Sequence, residues 1–364
     1  MPEEPVPRKI ALFVPSLAGG GAERVVLAEA QELVRRGHRV DLVLSLGGGE
    51  LLPLLPPEVR VIELGSSRMS GALFPLVRYL RREAPHALHA TMWPSTVIAI
   101  AAHRLAGSKA RLIVSDQIAL SRQFTAPRQR TELIATTRLL YSRADLRICC
   151  SAAAADDVAQ LSGVPRDRFE VIYNPISPPA SLAVDDRANE LFGDANRRII
   201  SVGSLKHQKN QQLLVRAFAR SDHKDARLVI LGEGELRRPL EALAAELGIA
   251  DRVEMPGFLL DPWPFYAAAD LFVLSSDYEG FANVVAEALY AGLRVVSTNC
   301  VAGPREILDG GRFGTLVPVG DVDALARAID SAFDQRADPE RARQRALAIS
   351  GPSQVQRYAD LLTG

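Results

Sequence analysis

A chain of 364 residues exceeds what one hydrophobic core usually organises and points to two domains. Its 48% hydrophobic and 24% charged content is that of an ordinary globular protein, which excludes wholesale disorder, a collagen-like repeat and a coiled coil. Lys+Arg and Asp+Glu both number 43, so no net field draws the chain to nucleic acid, although residues 1–175 carry a net charge of +5 and residues 176–364 one of −5.

From the N-terminus, MPEEPVPRK places acidic residues and prolines where a signal peptide would need an apolar core. The most apolar stretch, Pro94 to Ala102, is too short to span a bilayer. Cys149, Cys150 and Cys300 have neither disulfide nor zinc-ligand spacing, so reduced thiols and a cytoplasmic location are expected.

Strand-like runs at Ile10 to Val14, Val40 to Leu44, Arg60 to Leu64, Leu88 to Thr91, Leu112 to Ser115 and Leu146 to Cys150 alternate with helical patterns, beginning with a helix over Ala22 to Arg36. That alternation predicts βαβ units and a parallel sheet. The pattern pauses over Asn174 to Arg198, which is rich in proline, glycine and asparagine and reads as an interdomain linker. A second series follows, with strands at Ile199 to Gly203, Arg227 to Leu231, Val253 to Pro256, Leu271 to Ser275 and Val295 to Thr298. Two doubly wound α/β domains are therefore expected, 1–175 and 198–352, with 176–197 as linker and a final segment from Ser353 crossing back to the first. Ligands of such sheets bind outside the carboxyl ends of the strands.

The densest stretch is SSDYEGFANVVAEALYAGLRVVSTNCVAGPREIL, residues 275–308. A strand ends at Ser275, a polar loop follows, and a helix start near Asn283 presents backbone N–H groups suited to phosphate. Glu279 lies in the loop and Glu287 shares a helix face with Asn283. Each carboxylate can accept two hydrogen bonds from a vicinal diol, or each is an ordinary loop or first-turn acid.

EGFANVVAEALYAG resembles the Glu-x7-Glu signature of the family 4 retaining glycosyltransferases. GGGAER at 19–24, VIYNPI at 171–176, VGSLKHQKNQQLLVRAF at 202–218, GPREIL and LVPVGD are similar to the family's other motifs in order and spacing. The resemblance implies a GT-B fold, two Rossmann-like domains facing across a cleft, with nucleotide-sugar held mainly by the second and acceptor by the first. By the resemblance, Glu279 contacts the donor hexose and Glu287 the ribose, and backbone of Gly280, Phe281, Ala282, Asn283 and Val284 meets the pyrophosphate. Lys209, Gly203 and the glycine loop Gly19, Gly20 and Gly21 lie at its phosphate-binding positions, and Gly257 and Phe258 near the base.

The chain departs from that pattern twice. Ser204 stands where the family commonly has arginine, leaving Lys209 as the matched cation with Lys206 and His207 nearby. Asp116 and Gln117 stand where many relatives have a histidine, so Gln117 offers a hydrogen bond to the donor sugar without proton chemistry. His89 is a candidate for acceptor contact or base, or else a buried strand-end histidine. Trp93 and Arg122 are acceptor candidates. Asp321-x-Asp323 spells a metal motif of another fold but precedes a helix, where Asp serves as N-cap, and Gly232-x-Gly234 lacks the third glycine of a dinucleotide fingerprint.

The expectation is retaining, metal-free transfer of a hexose or N-acetylhexosamine from a UDP-sugar to a glycan, in polysaccharide assembly. The implied acceptor is a polyprenyl-diphosphate-linked sugar. The nucleotide-sugar is a co-substrate, and neither a cofactor nor a nucleic-acid partner is expected. Leu76, Val77 and Leu80 with Arg78, Arg81 and Arg82 are expected either to meet an anionic membrane or to pack as an amphipathic helix. A GT-B epimerase and a non-catalytic nucleotide-sugar-binding protein are the alternatives.

Overall fold

The computed structural model describes residues 6–364, and most of the N-terminal MPEEPVPRK stretch lies outside them. The chain forms two compact units, one of residues up to Pro175 joined by Pro352–Gly364, the other Ile176–Gly351. The expected linker is part of the second unit. Within it, Asp185 accepts a hydrogen bond from Ala188 N at 2.7 Å and caps a helix Asp186–Phe192, whose Phe192 is fully buried.

The first unit is built on seven parallel strands: β1 (Lys9–Val14), β2 (Arg39–Leu44), β3 (Arg60–Glu63), β4 (Ala87–Thr91), β5 (Arg111–Asp116), β6 (Leu146–Cys149) and β7 (Phe169–Val171). Their spatial order is β3-β2-β1-β4-β5-β6-β7. Ile10 to Val14 are buried on both faces, which is why the run reads as continuously apolar. The terminal helix Pro352–Thr363 lays Tyr358, Ala359 and Leu362 into the same core as Ile10, Val25 and Val40.

The second unit has β8 (Arg197–Val202), β9 (Ala226–Leu231), β10 (Val253–Gly257), β11 (Leu271–Leu274), β12 (Arg294–Thr298) and β13 (Thr315–Val317), all parallel, in the order β10-β9-β8-β11-β12-β13. In both sheets the order reverses once, between β1 and β4 and between β8 and β11. The crevice beyond the carboxyl ends of those pairs is where an open α/β sheet binds ligands.

The helix Leu73–Glu83 decides between the two expectations for its apolar residues in favour of packing. Leu76, Val77 and Leu80 are 0%, 7% and 2% exposed, so they pack inward instead of facing a membrane. Phe74 is the apolar residue left outside, at 73% exposure, beside the exposed Arg78, Arg81 and Arg82. Among the described residues no helix is long and apolar enough to cross a membrane.

Candidate functional site

The second unit's reversal point carries the matched residues. After β8 the backbone turns at Gly203, over which the Lys209 side chain passes: a Cβ there would sit 3.2 Å from Lys209 Cε. Gly232 has φ of 144°, and a Cβ on it would fall 2.0 Å from the Gly203 carbonyl oxygen, so the loops after β8 and β9 meet backbone to backbone. Gly232 N in turn donates to Gly257 O at 2.9 Å.

The β8 and β11 loops are stitched together. Asp277 N donates to Gln208 O at 2.9 Å, Gln208 Nε2 to Tyr278 O at 3.0 Å, Asn210 Nδ2 to Asp277 Oδ1 at 2.8 Å, and Ser275 Oγ to Lys209 O at 2.9 Å. These bonds place Lys209 Nζ 2.6 Å from Glu279 Oε1. The same oxygen accepts from Ser276 Oγ at 2.6 Å, and Thr298 Oγ1 fixes the Ser276 carbonyl at 2.6 Å. Both charges are largely buried, with side-chain exposures of 16% and 7%.

Next to this pair the chain takes a left-handed turn at Ala282, with φ of 68°, into the helix Asn283–Tyr290. Gly303 of GPREIL, at φ of 83°, backs onto the Phe281 peptide, where a Cβ would meet Phe281 O at 2.2 Å. The Phe281 side chain is core, so this segment can offer a ligand its backbone and the helix start. Glu287 Oε2, part-exposed, accepts from Tyr266 OH at 2.8 Å. Ser204 is exposed, and its carbonyl accepts from Gln211 Nε2 at 3.0 Å. Phe258, after Gly257, is 38% exposed.

In the first unit, Gly20 precedes the helix Gly21–Arg35, and a Cβ on it would lie 2.5 Å from Glu23 Oε2. Three of the four expected acceptor residues, His89, Asp116 and Trp93, prove internal. His89 is 1% exposed, with Nδ1 at 2.8 Å from Glu29 Oε2 and Nε2 at 2.9 Å from Ser115 Oγ, so neither nitrogen is left for an acceptor. Asp116 is 1% exposed and accepts from Tyr141 OH at 2.9 Å, and burial pushes its carboxyl up to about 7. Gln117 also turns inward, its Nε2 pointing at Tyr358 OH at 3.5 Å. Trp93 is 9% exposed, donates to Thr136 Oγ1 at 3.2 Å and stands edge-on to Phe124, while Arg122 is exposed.

Asp321 caps the helix Val322–Asp334 through Ala324 N at 2.8 Å, and Asp323 pairs with Arg220. Among the described residues no group of three or more His, Cys, Asp or Glu is arranged to hold a metal ion. Sequence reading missed Ser276 and Tyr266. Ser276 sits three residues before Glu279, a spacing that marks helix caps when a helix follows, and Tyr266 reaches Glu287 across 21 positions with no periodicity to announce it.

Two family models match, Glycosyltransferase Family 4 over residues 19–178 and Glycosyl transferases group 1 over residues 185–348. A Campylobacter jejuni protein, N-acetylgalactosamine-N,N'-diacetylbacillosaminyl-diphospho-undecaprenol 4-alpha-N-acetylgalactosaminyltransferase, is 29% identical over 94% of this chain and 96% of its own length. The lipopolysaccharide core biosynthesis glycosyltransferase LpsE of Rhizobium meliloti is 36% identical over 53% of this chain and 56% of its own. Among solved structures, HepE of Anabaena in complex with UDP and glucose superposes with a TM-score of 0.81 at 22% identity, covering 98% of this chain and 99% of that one.

Proposed function

We infer the activity from a premise that the two family matches supply, that this chain belongs to the family 4 glycosyltransferases, with the GT-B fold. The reaction we propose is transfer of a hexose or N-acetylhexosamine from a UDP-sugar to a hydroxyl of a lipid-linked glycan, with retention of anomeric configuration. The observation that carries it is the Lys209–Glu279 pair beside the Asn283 helix start, at the reversal point of the second sheet. A cation and a helix start suit a diphosphate, and two carboxylates suit the diols of a hexose and a ribose. The Campylobacter jejuni relative, named for an undecaprenyl-diphosphate-linked acceptor, supports the choice of acceptor. HepE, solved with UDP and glucose, supports that of donor.

In this proposal the bond from the anomeric carbon to the diphosphate oxygen breaks as the acceptor oxygen bonds to the same face. The acceptor proton passes to the departing phosphate oxygen. Lys209 and the amides of 281–284 stabilise the leaving charge, with Ser204 adding a hydroxyl donor. No metal and no cofactor take part. His89, Asp116, Gln117 and Trp93 have no role in it, since their polar atoms face inward; Arg122 remains the acceptor candidate. Cytoplasmic action at an anionic membrane surface would use Phe74 with Arg78, Arg81 and Arg82, which line a surface hollow of about 500 Å³.

The test is a panel of nucleotide-sugars, first by thermal shift and then in transfer to an undecaprenyl-diphosphate-linked sugar with excess chelator. Transfer of one UDP-sugar in the presence of chelator supports the reading. Turnover of donor alone into free sugar products would indicate an epimerase, binding without turnover a non-catalytic module, and loss of transfer with chelator would contradict the metal-free step.

A further inference from the structure

Lys209 cannot at once be neutralised by a carboxylate and give its full charge to a diphosphate. Its ammonium lies 2.6 Å from Glu279 Oε1, with both side chains mostly withdrawn from water. The pair is held from several sides: Ser276 Oγ donates to the same oxygen, Thr298 fixes the Ser276 carbonyl, and Ser275 fixes the Lys209 carbonyl. Resting on the reading that this site takes a nucleotide-sugar, we propose that Glu279 and the diphosphate compete for Lys209, and that a donor hexose bonded to Glu279 releases the ammonium to the phosphate.

The chemistry follows from the donor inventory. Oε1 of Glu279 already accepts two short hydrogen bonds, one from a cation and one from a hydroxyl. Sugar hydroxyls are neutral donors that can replace the ammonium on the carboxylate, and the ammonium, with three N–H bonds on a flexible stem, can then swing toward negative charge. A nucleoside diphosphate that lacks the sugar has nothing to offer Glu279, so it meets a lysine whose charge is cancelled. The device favours the intact donor over the spent nucleotide and ties recognition of the sugar to stabilisation of its leaving group. Ser276 is a positioning residue in this scheme, because it holds the carboxylate where both partners can reach it.

The experiment titrates UDP alone into three full-length proteins, wild type, Glu279→Gln and Lys209→Met/Glu279→Gln, by calorimetry, with thermal unfolding to confirm that each is folded. The double variant replaces the ion pair by an uncharged pair of similar size, which avoids an isolated buried charge. Freeing Lys209 in Glu279→Gln is expected to tighten UDP binding about tenfold, the scale of one charge-assisted hydrogen bond, while the double variant stays within about twofold of wild type. An unchanged or weaker affinity in Glu279→Gln overturns the proposal. So does a double variant about tenfold weaker than wild type, because Lys209 would then already serve the diphosphate in the unmodified protein. Failure of UDP to bind any of the three overturns the donor reading and this inference with it, whereas binding in the wrong order overturns this inference alone.

Discussion

Asp116 is the residue whose chemistry departs furthest from its position in the sequence. It ends the strand β5, where a ligand contact is expected, yet it is buried against Tyr141, and burial raises its carboxyl to about 7. A carboxyl raised on folding adds stability below its unfolded value near 4, and that stability is lost as pH climbs through about 7. Replacing it by asparagine, which can still accept from Tyr141, removes this dependence. The melting temperature of Asp116→Asn relative to wild type should therefore rise between pH 5 and pH 8; a difference constant across that range would show that Asp116 does not titrate there. The sequence could not distinguish the two fates of Asp116 and His89, because a polar residue within or at the end of a strand looks the same whether it opens to a crevice or bonds a neighbouring element. Glu279 and Lys209 were legible because their spacing matched a known pattern, while their mutual bond, across 70 positions, was not.

At the level of elements, the loops depend on glycines with no room for a side chain. Gly303→Ala would place a methyl 2.2 Å from Phe281 O at a left-handed φ, so it must displace the peptide that leads into the Asn283 helix. Gly310→Ala is a fair control: it shares a positive φ, 67°, but nothing lies within 4 Å of the added carbon. Backbone strain alone costs about 1 kcal/mol, and Gly303→Ala should exceed it and also weaken UDP-sugar binding, whereas Gly310→Ala should leave binding unchanged. Equal effects of the two in unfolding and titration would argue that the Gly303 contact does not matter. For the helix Leu73–Glu83, amphipathic spacing marked the helix correctly, but its apolar face belongs to the core. Flotation with anionic vesicles should weaken in Phe74→Ser and in a variant with Arg78, Arg81 and Arg82 changed to Gln. Undiminished flotation would remove this helix from the membrane proposal. The short strands β7 and β13 escaped sequence reading because three residues at a sheet edge carry too little alternation to register.

Across the whole molecule, strand and helix alternation made two doubly wound sheets legible, and with them the carboxyl-end location of the site in the second. The return of the last helix to the first unit is a matter of packing: Tyr358, Ala359 and Leu362 complete a core begun at Ile10. Truncation after Gly351 should therefore speed amide exchange in β1, β2 and β4 while sparing β8, β9 and β11; uniform protection would show that the helix is dispensable to that core. Net zero charge says little about function, since it sums a positive first half and a negative second half. The most direct test of retaining transfer is the reaction of a UDP-sugar with an undecaprenyl-diphosphate-linked sugar, with the product's anomeric configuration read by NMR. The product should keep the donor's configuration and be lost in Glu279→Gln; an inverted product, or full transfer by that variant, would contradict retaining transfer at this site.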